Sequence, residues 1–211
     1  MRASILMVMR TNKLEAGSLA ISNDSGLGSK GITNGLLTAA IQHHSPNANQ
    51  RPQGHAISLL VIHNISLPPG KFGTRCVQAF FTNQLDSTQD PYFETIAGLK
   101  VSAHLFIERD GAITQFVPFG DRAWHAGVSS FHGVENCNDY SIGIELEGCD
   151  DIAYTDAQYE ALAQVTRQIQ MAYPLITPER IVGHNQIAPE RKTDPGEAFD
   201  WLRFHALLGN N

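Results

Sequence analysis

Cysteine is scarce in this chain: Cys76, Cys137 and Cys149 are the only three in 211 residues. An odd number with no CxxC pair is a poor disulfide framework and argues against a cysteine-rich structural metal site. The pattern fits a reducing compartment, although a single Cys137–Cys149 bridge stays open. None of the three lies beside an obvious activating histidine, so they read as packing or surface thiols. Charge is also modest, with 17% charged residues, a net −6 and no basic patch. No nucleic-acid partner is therefore expected. No apolar run approaches the roughly 18 residues of a membrane-spanning helix, so no membrane partner is expected either. The apolar stretch from Met1 to Met9 is shorter than a signal-peptide core and no convincing small-residue cleavage site follows it. The expected location is the cytoplasm. What remains, at 42% hydrophobic residues, is ordinary for a soluble enzyme with one substantial core.

The pattern along the chain divides it into an extension over 1–56, a domain over 57–206 and a tail over 207–211. Residues 11–56 are rich in Gly, Ser, Asn and Gln, with an apolar patch from Ile32 to Ile41. They read as a loosely structured, partly irregular segment lying on the domain. The pair His43-His44 in it reads as two surface histidines. Residues 58–63 form a short apolar strand ending in His63. A short helix is expected over 75–83, followed by a polar loop over 84–95. Two apolar runs, 103–108 and 113–117, flank Arg109-Asp110-Gly111 and read as a hairpin. Residues 118–140 are a long loop around Trp124-His125, and 141–148 a strictly alternating strand. Thr155 and Gln158 form a capping box that opens a helix ending at Pro174. Ile181-Val182 is a last strand, and Trp201, Leu202 and Phe204 mark a C-terminal helix packing back on the sheet. The fold class is α/β: a single domain with a central mixed sheet flanked by helices.

The chemistry concentrates between Gly183 and Gly196, where His184, Arg191, Lys192 and Asp194 are packed among residues that resist a regular element. His184 and Asp194 are zinc-ligand types, and His63 at a strand end supplies a third. Three ligands with one position left for water is a catalytic arrangement. The cofactor expected is Zn²⁺, and the reaction class metal-assisted hydrolysis. Glu145 is the candidate base, against the alternative of a solvated strand carboxylate. Lys192 is the candidate oxyanion partner, against a solvated loop lysine. Glu147 reads as a partner for Arg191 or Lys192.

Four ordered segments carry a resemblance. They are Val61 to Gly70, Arg122 to Gly127, Ser141 to Gly148 and Gly183 to Gly196. Together they resemble the zinc-dependent N-acetylmuramyl-L-alanine amidases over about residues 57–206. The branch most similar is that of the cytoplasmic AmpD-type anhydro-N-acetylmuramyl-L-alanine amidases of cell-wall recycling. The resemblance implies zinc at His63, His184 and Asp194, with Glu145 as catalytic carboxylate and Lys192 as transition-state cation. It implies a substrate cleft lined by Asn64, Trp124, His125, Ala188 and Arg191. It also implies a mixed sheet of about five strands, shared with phage amidase-type lysozymes and peptidoglycan recognition proteins. The substrate would be a small soluble anhydro-muropeptide, the protein a monomer, and one consequence an influence on β-lactamase induction. The alternative activity is that of a general amidase on intact peptidoglycan. A non-catalytic binding module would commonly lose a metal ligand, and this chain keeps all three. Two positions depart from the branch, which often has Arg where this chain has Lys100 and Asn136. Lys keeps the charge without the bidentate fork, and Asn136 loses it.

Overall fold

The computed structural model describes residues 31–209. The segment from Met1 to Met9, the first part of the extension and the last two residues of the tail lie outside the described residues.

The strands are β1 (Ile32–Thr33), β2 (Leu36–Leu37), β3 (Ile41–Gln42), β4 (Ala48–Gln50), β5 (Leu59–Ile65), β6 (Leu105–Ile107), β7 (Ile113–Gln115), β8 (Asp121–Ala123), β9 (Ser130–Phe131), β10 (Val134–Glu135), β11 (Ser141–Glu147) and β12 (Ile181–Gly183). The helices are α1 (Cys76–Phe81), α2 (Pro91–Thr95), α3 (Asp156–Ala172), α4 (His184–Ile187) and α5 (Trp201–Leu208). Among the described residues the main sheet has six strands in the order β12-β5-β11-β6-β7-β3. Pairing is parallel throughout except for the antiparallel β6–β7 hairpin. The expected mixed sheet is thus present, with one strand more than the resemblance implied. That sixth strand is β3, from the Gly- and Asn-rich extension. Farther along, β4 pairs with β8, so residues 32–50 are stitched to the domain at two places. His43 and His44 are exposed.

Parallel strands are covered on both faces, so the central ones bury every side chain. All seven residues of β11 are buried, as are Leu59 to His63 of β5. The alternation of β11 is not one of wet and dry faces, since its glutamates are buried as well. Leu60, Ile62, Ile142, Ile144 and Leu146 pack with Tyr159, Leu162 and Ile169 of α3. Full burial of each such side chain is worth about 1.5–3 kcal/mol. The α3 capping box is formed, with Thr155 Oγ1 accepting the Gln158 N–H at 3.1 Å. On the other sheet face Phe106 of β6 packs with Phe81, Phe93 and Phe116.

Three expectations change. The polar loop over 84–95 ends in α2, where Asp90 Oδ1 accepts the Tyr92 N–H and Pro91 occupies the first helical position. Those two residues are a helix start rather than only a turn. The long loop over 118–140 contains β8, β9, β10 and a 3₁₀ turn at Cys137–Asp139. In α5, Phe204 is fully buried, but Leu202 is 85% exposed. The helix packs mainly on α3 through Phe204 and Trp201, leaving Leu202 on the outer side. The three cysteines are free. Cys137 lies beside Tyr140 and Cys149 beside Ser66, so no Cys137–Cys149 bridge forms. Among the described residues no helix is long and apolar enough to cross a membrane.

Candidate active site

The C-terminal ends of parallel strands are where open α/β sheets gather functional groups. In the β5–β11 register His63 stands directly beside Glu145. Because β12 runs parallel to β5 on its other side, with Gly183 opposite Ile62, the chain leaves the sheet at that same end and begins α4 with His184. The stretch 183–196 is therefore not wholly irregular: it opens with one helical turn. Its return is set by backbone bonds. The Asn185 N–H donates to the Asp194 carbonyl, and Ala188 O accepts both the Arg191 and Lys192 N–H groups, each at 3.0 Å. At Gly196 φ is +82°, and an added Cβ would run into the Asp150 backbone. Only glycine fits there.

This path brings three ligand atoms together. His63 Nδ1, His184 Nδ1 and Asp194 Oδ2 are mutually 3.0 Å apart. Among the described residues they form the one cluster of this kind. His184 Nε2 lies 3.0 Å from the Ala126 carbonyl. A carbonyl only accepts, so the His184 proton sits on Nε2 and Nδ1 presents a lone pair. With the His63 proton likewise on its outer nitrogen, Nε2, three acceptors face one another, an arrangement that a cation stabilises. Their spacing is a few tenths of an ångström below the roughly 3.3 Å that a tetrahedral ion with bonds of about 2.0–2.1 Å requires. The donor set fits Zn²⁺.

The electrostatics favour the same protonation states. Burial pushes His63 down to about 4, with the adjacent Asp194 opposing, so the ring is neutral. Burial alone would raise Asp194, but its contacts with the His184 and His63 rings outweigh it and hold the carboxyl well below its ordinary range. Neutral imidazoles and an ionised carboxylate are the ligand forms a metal needs.

Glu145 is 8% exposed, and its Oε2 has no hydrogen-bond partner among the described residues. Burial, then the neighbouring Asp194 charge, pushes its carboxyl well above the usual range, with Lys192 opposing. It is not the solvated carboxylate of the alternative reading. It lines a cleft of about 860 Å³ together with Asn64, Trp124, His125, Arg191 and Lys192. Ala188 is buried and outside that lining; its carbonyl shapes the loop instead. Glu147 does not reach Arg191 or Lys192. It accepts the Gly73 N–H at 2.5 Å and the Arg109 N–H at 3.1 Å, because β11 ends beside those turns. Lys100 lines a smaller cavity that adjoins the cleft through Phe80, Ile96 and Leu99.

The sequence reading missed several supports. Asp150 Oδ1 accepts from Asn64 Nδ2, which also donates to the carbonyl of Pro195. Asn49 of β4 accepts from the Trp124 indole at 2.6 Å. Asn138 Oδ1 accepts both the His125 and Ala126 N–H groups. Their partners are distant in sequence, so no local pattern announced them.

Comparison with known proteins gives a consistent answer. An AmpD of Salmonella typhimurium, described as a 1,6-anhydro-N-acetylmuramyl-L-alanine amidase, is 57% identical over 174 residues, 82% of this chain and 92% of that one. A crystal structure of a selenomethionine AmpD superposes with a TM-score of 0.82 at 56% identity, covering 84% of this chain and 98% of the other. The AmiD amidase of Escherichia coli, solved with anhydro-N-acetylmuramic acid-L-Ala-D-γ-Glu-L-Lys, is 30% identical with a TM-score of 0.52, over 75% of this chain and 60% of that one. Residues 53–197 match the N-acetylmuramoyl-L-alanine amidase family, and with these relatives the chain belongs to that family, on its AmpD side.

Proposed function

We propose that this chain is a zinc amidase that hydrolyses the amide between the lactyl group of anhydro-N-acetylmuramic acid and the L-alanine of a stem peptide. The observation that carries the reading is the 3.0 Å triangle of His63, His184 and Asp194 beside the buried Glu145, whose Oε2 has no partner among the described residues. Bound to those three ligands, Zn²⁺ supplies Lewis-acid chemistry, polarising a carbonyl and lowering the pKa of water toward about 7.

The chain's own groups do the rest. Glu145, with its carboxyl raised by burial, is suited to take a proton from the attacking water and return it to the departing amide nitrogen. Lys192 lines the same cleft, and its ammonium stabilises the negative charge that develops on the substrate oxygen. Asn64, Trp124 and Arg191 at the cleft wall hold the muropeptide. Arg191 is partly committed already, since its guanidinium donates to the Ala126 and Val128 carbonyls at 2.7 and 2.8 Å. Support for a soluble anhydro-muropeptide as substrate comes from the AmpD relatives. The same branch and the free thiols support a cytoplasmic recycling enzyme that lowers the muropeptide pool and thereby β-lactamase induction.

The test is to give zinc-loaded protein purified anhydro-N-acetylmuramyl-tripeptide and, separately, intact sacculi, and to read products by mass spectrometry. Free peptide from the soluble substrate alone is the expected result. Comparable release from sacculi would make it a general amidase.

A further inference from the structure

We propose that His125 is a positioning residue for the metal site: its ring sets the tautomer and plane of His63, and the dipeptide His125-Ala126 orients both ligating imidazoles together. This rests on the zinc reading above. His63 Nε2 lies 2.9 Å from His125 Nδ1. For His63 to offer a lone pair at Nδ1, its proton must be on Nε2, and His125 Nδ1 must accept it. The His125 proton is then on Nε2, 3.1 Å from Ser141 Oγ, which accepts. The neighbouring residue completes the pair, since the Ala126 carbonyl accepts from His184 Nε2 at 3.0 Å. One stretch of two residues thus holds the outer nitrogen of each ligating imidazole.

That stretch is itself fixed. Asn138 Oδ1 accepts the His125 N–H at 3.1 Å and the Ala126 N–H at 2.8 Å. The His125 ring has its seat on β11, where a Cβ on Gly143 would lie 2.5 Å from His125 Cγ and Nδ1. The two rings meet edge to face, at 81° with centroids 5.0 Å apart. Both ring nitrogens of His125 are therefore spent inside the protein, and none is left to bind substrate although the ring lines the cleft. The same strand that carries Glu145 seats the ring through Ser141 and Gly143, so base and metal ligand share one rigid support.

The experiment measures the affinity of the full chain for Zn²⁺ by competition with a chromophoric chelator. It compares wild type, His63→Ala, His125→Ala, His125→Asn and His125→Gln, with circular dichroism to confirm folding. His125→Ala should bind zinc about 10–100-fold more weakly, the usual cost of losing a partner behind a metal-bound histidine. His125→Asn places an amide oxygen near the position of Nδ1 and should recover most of the affinity. His125→Gln reaches toward Ser141 instead and should not. If His125→Ala does not fold, the Asn–Gln contrast still decides. Wild-type affinity in His125→Ala, or equal affinity in the Asn and Gln variants, overturns the proposal. A raised KM with unchanged zinc affinity would return His125 to substrate contact. If wild type binds zinc no better than His63→Ala, the zinc reading falls and this inference with it.

Discussion

The two halves of the site are built differently. His63 and Glu145 are register partners on adjacent parallel strands, held by ladder hydrogen bonds and by a core that buries Leu60, Ile62 and Ile144 completely. His184, Lys192 and Asp194 sit on a turn and loop whose shape depends on a few individual bonds. These are Asn185 N–H to Asp194 O, Asn64 Nδ2 to Pro195 O, and the close passage of Gly196 against Asp150. The strand half is over-determined, because shifting one residue would break the pairing of all. The loop half has few redundant contacts, so a bound ion that ties Asp194 and His184 to His63 stabilises it most. Metal-bearing and metal-free protein should differ in the loop and hardly at all in β5 and β11.

Removing a ligand from either half should have the largest effect. His63→Ala and Asp194→Ala should both lose stoichiometric zinc and all measurable hydrolysis, read by metal analysis and product assay. Activity surviving in either would remove that residue from the ligand set. Next come the two groups that act on the substrate. Glu145→Ala and Lys192→Ala should each lower kcat by about 10²-fold or more while retaining zinc. Near-wild-type turnover would exclude the residue from its role.

A smaller effect isolates the loop. Gly196→Ala combines a strained φ of +82° with a backbone collision and should cost more than about 1 kcal/mol. Urea denaturation of the zinc-free protein measures that, and chelator competition should show weaker zinc binding as well. Unchanged stability would mean that the loop relaxes freely.

The smallest effect isolates the strand and has the opposite sign. Burial raises the Glu145 carboxyl in the folded state, so the unfolded chain ionises first as pH rises. The protonated form therefore favours folding below the ordinary glutamate range, and that stability is lost as pH climbs from there through the raised folded value. Glu145→Gln removes the charge and keeps the shape. In zinc-free protein at neutral pH its Tm should rise, by about 2–4 °C for each kcal/mol gained, and the wild-type decline with pH should flatten. A lower Tm would show that the carboxylate is compensated by a partner.

Legibility in the sequence followed the same division. The apolar run into His63, the alternation around Glu145 and the capping box at Thr155 are local patterns, and each element formed where its pattern lay. The boundary of β5 ran two residues past His63, since a strand with paired neighbours on both sides continues while its partners do. Local patterns failed where position depends on distant partners. Glu147 had the right charge for Lys192, but the end of β11 delivered it to Gly73 and Arg109. The Asp90-Pro91 pair served as a helix start because Phe93 had a hydrophobic pocket to fill. Ile41 and Gln42 joined the sheet because β7 was left with an open edge, which their composition did not disclose. His63, His184 and Asp194 could be nominated from residue type, but the supports behind them, Asn138, Ser141 and Asp150, are common polar residues without a spacing signature.

The most direct test of the whole account is single-turnover hydrolysis of anhydro-N-acetylmuramyl-tripeptide by verified zinc-free protein, before and after one equivalent of Zn²⁺ is added back. No free peptide without the metal, and full recovery at one equivalent, is the predicted result. Hydrolysis by the zinc-free protein at the restored rate would contradict it.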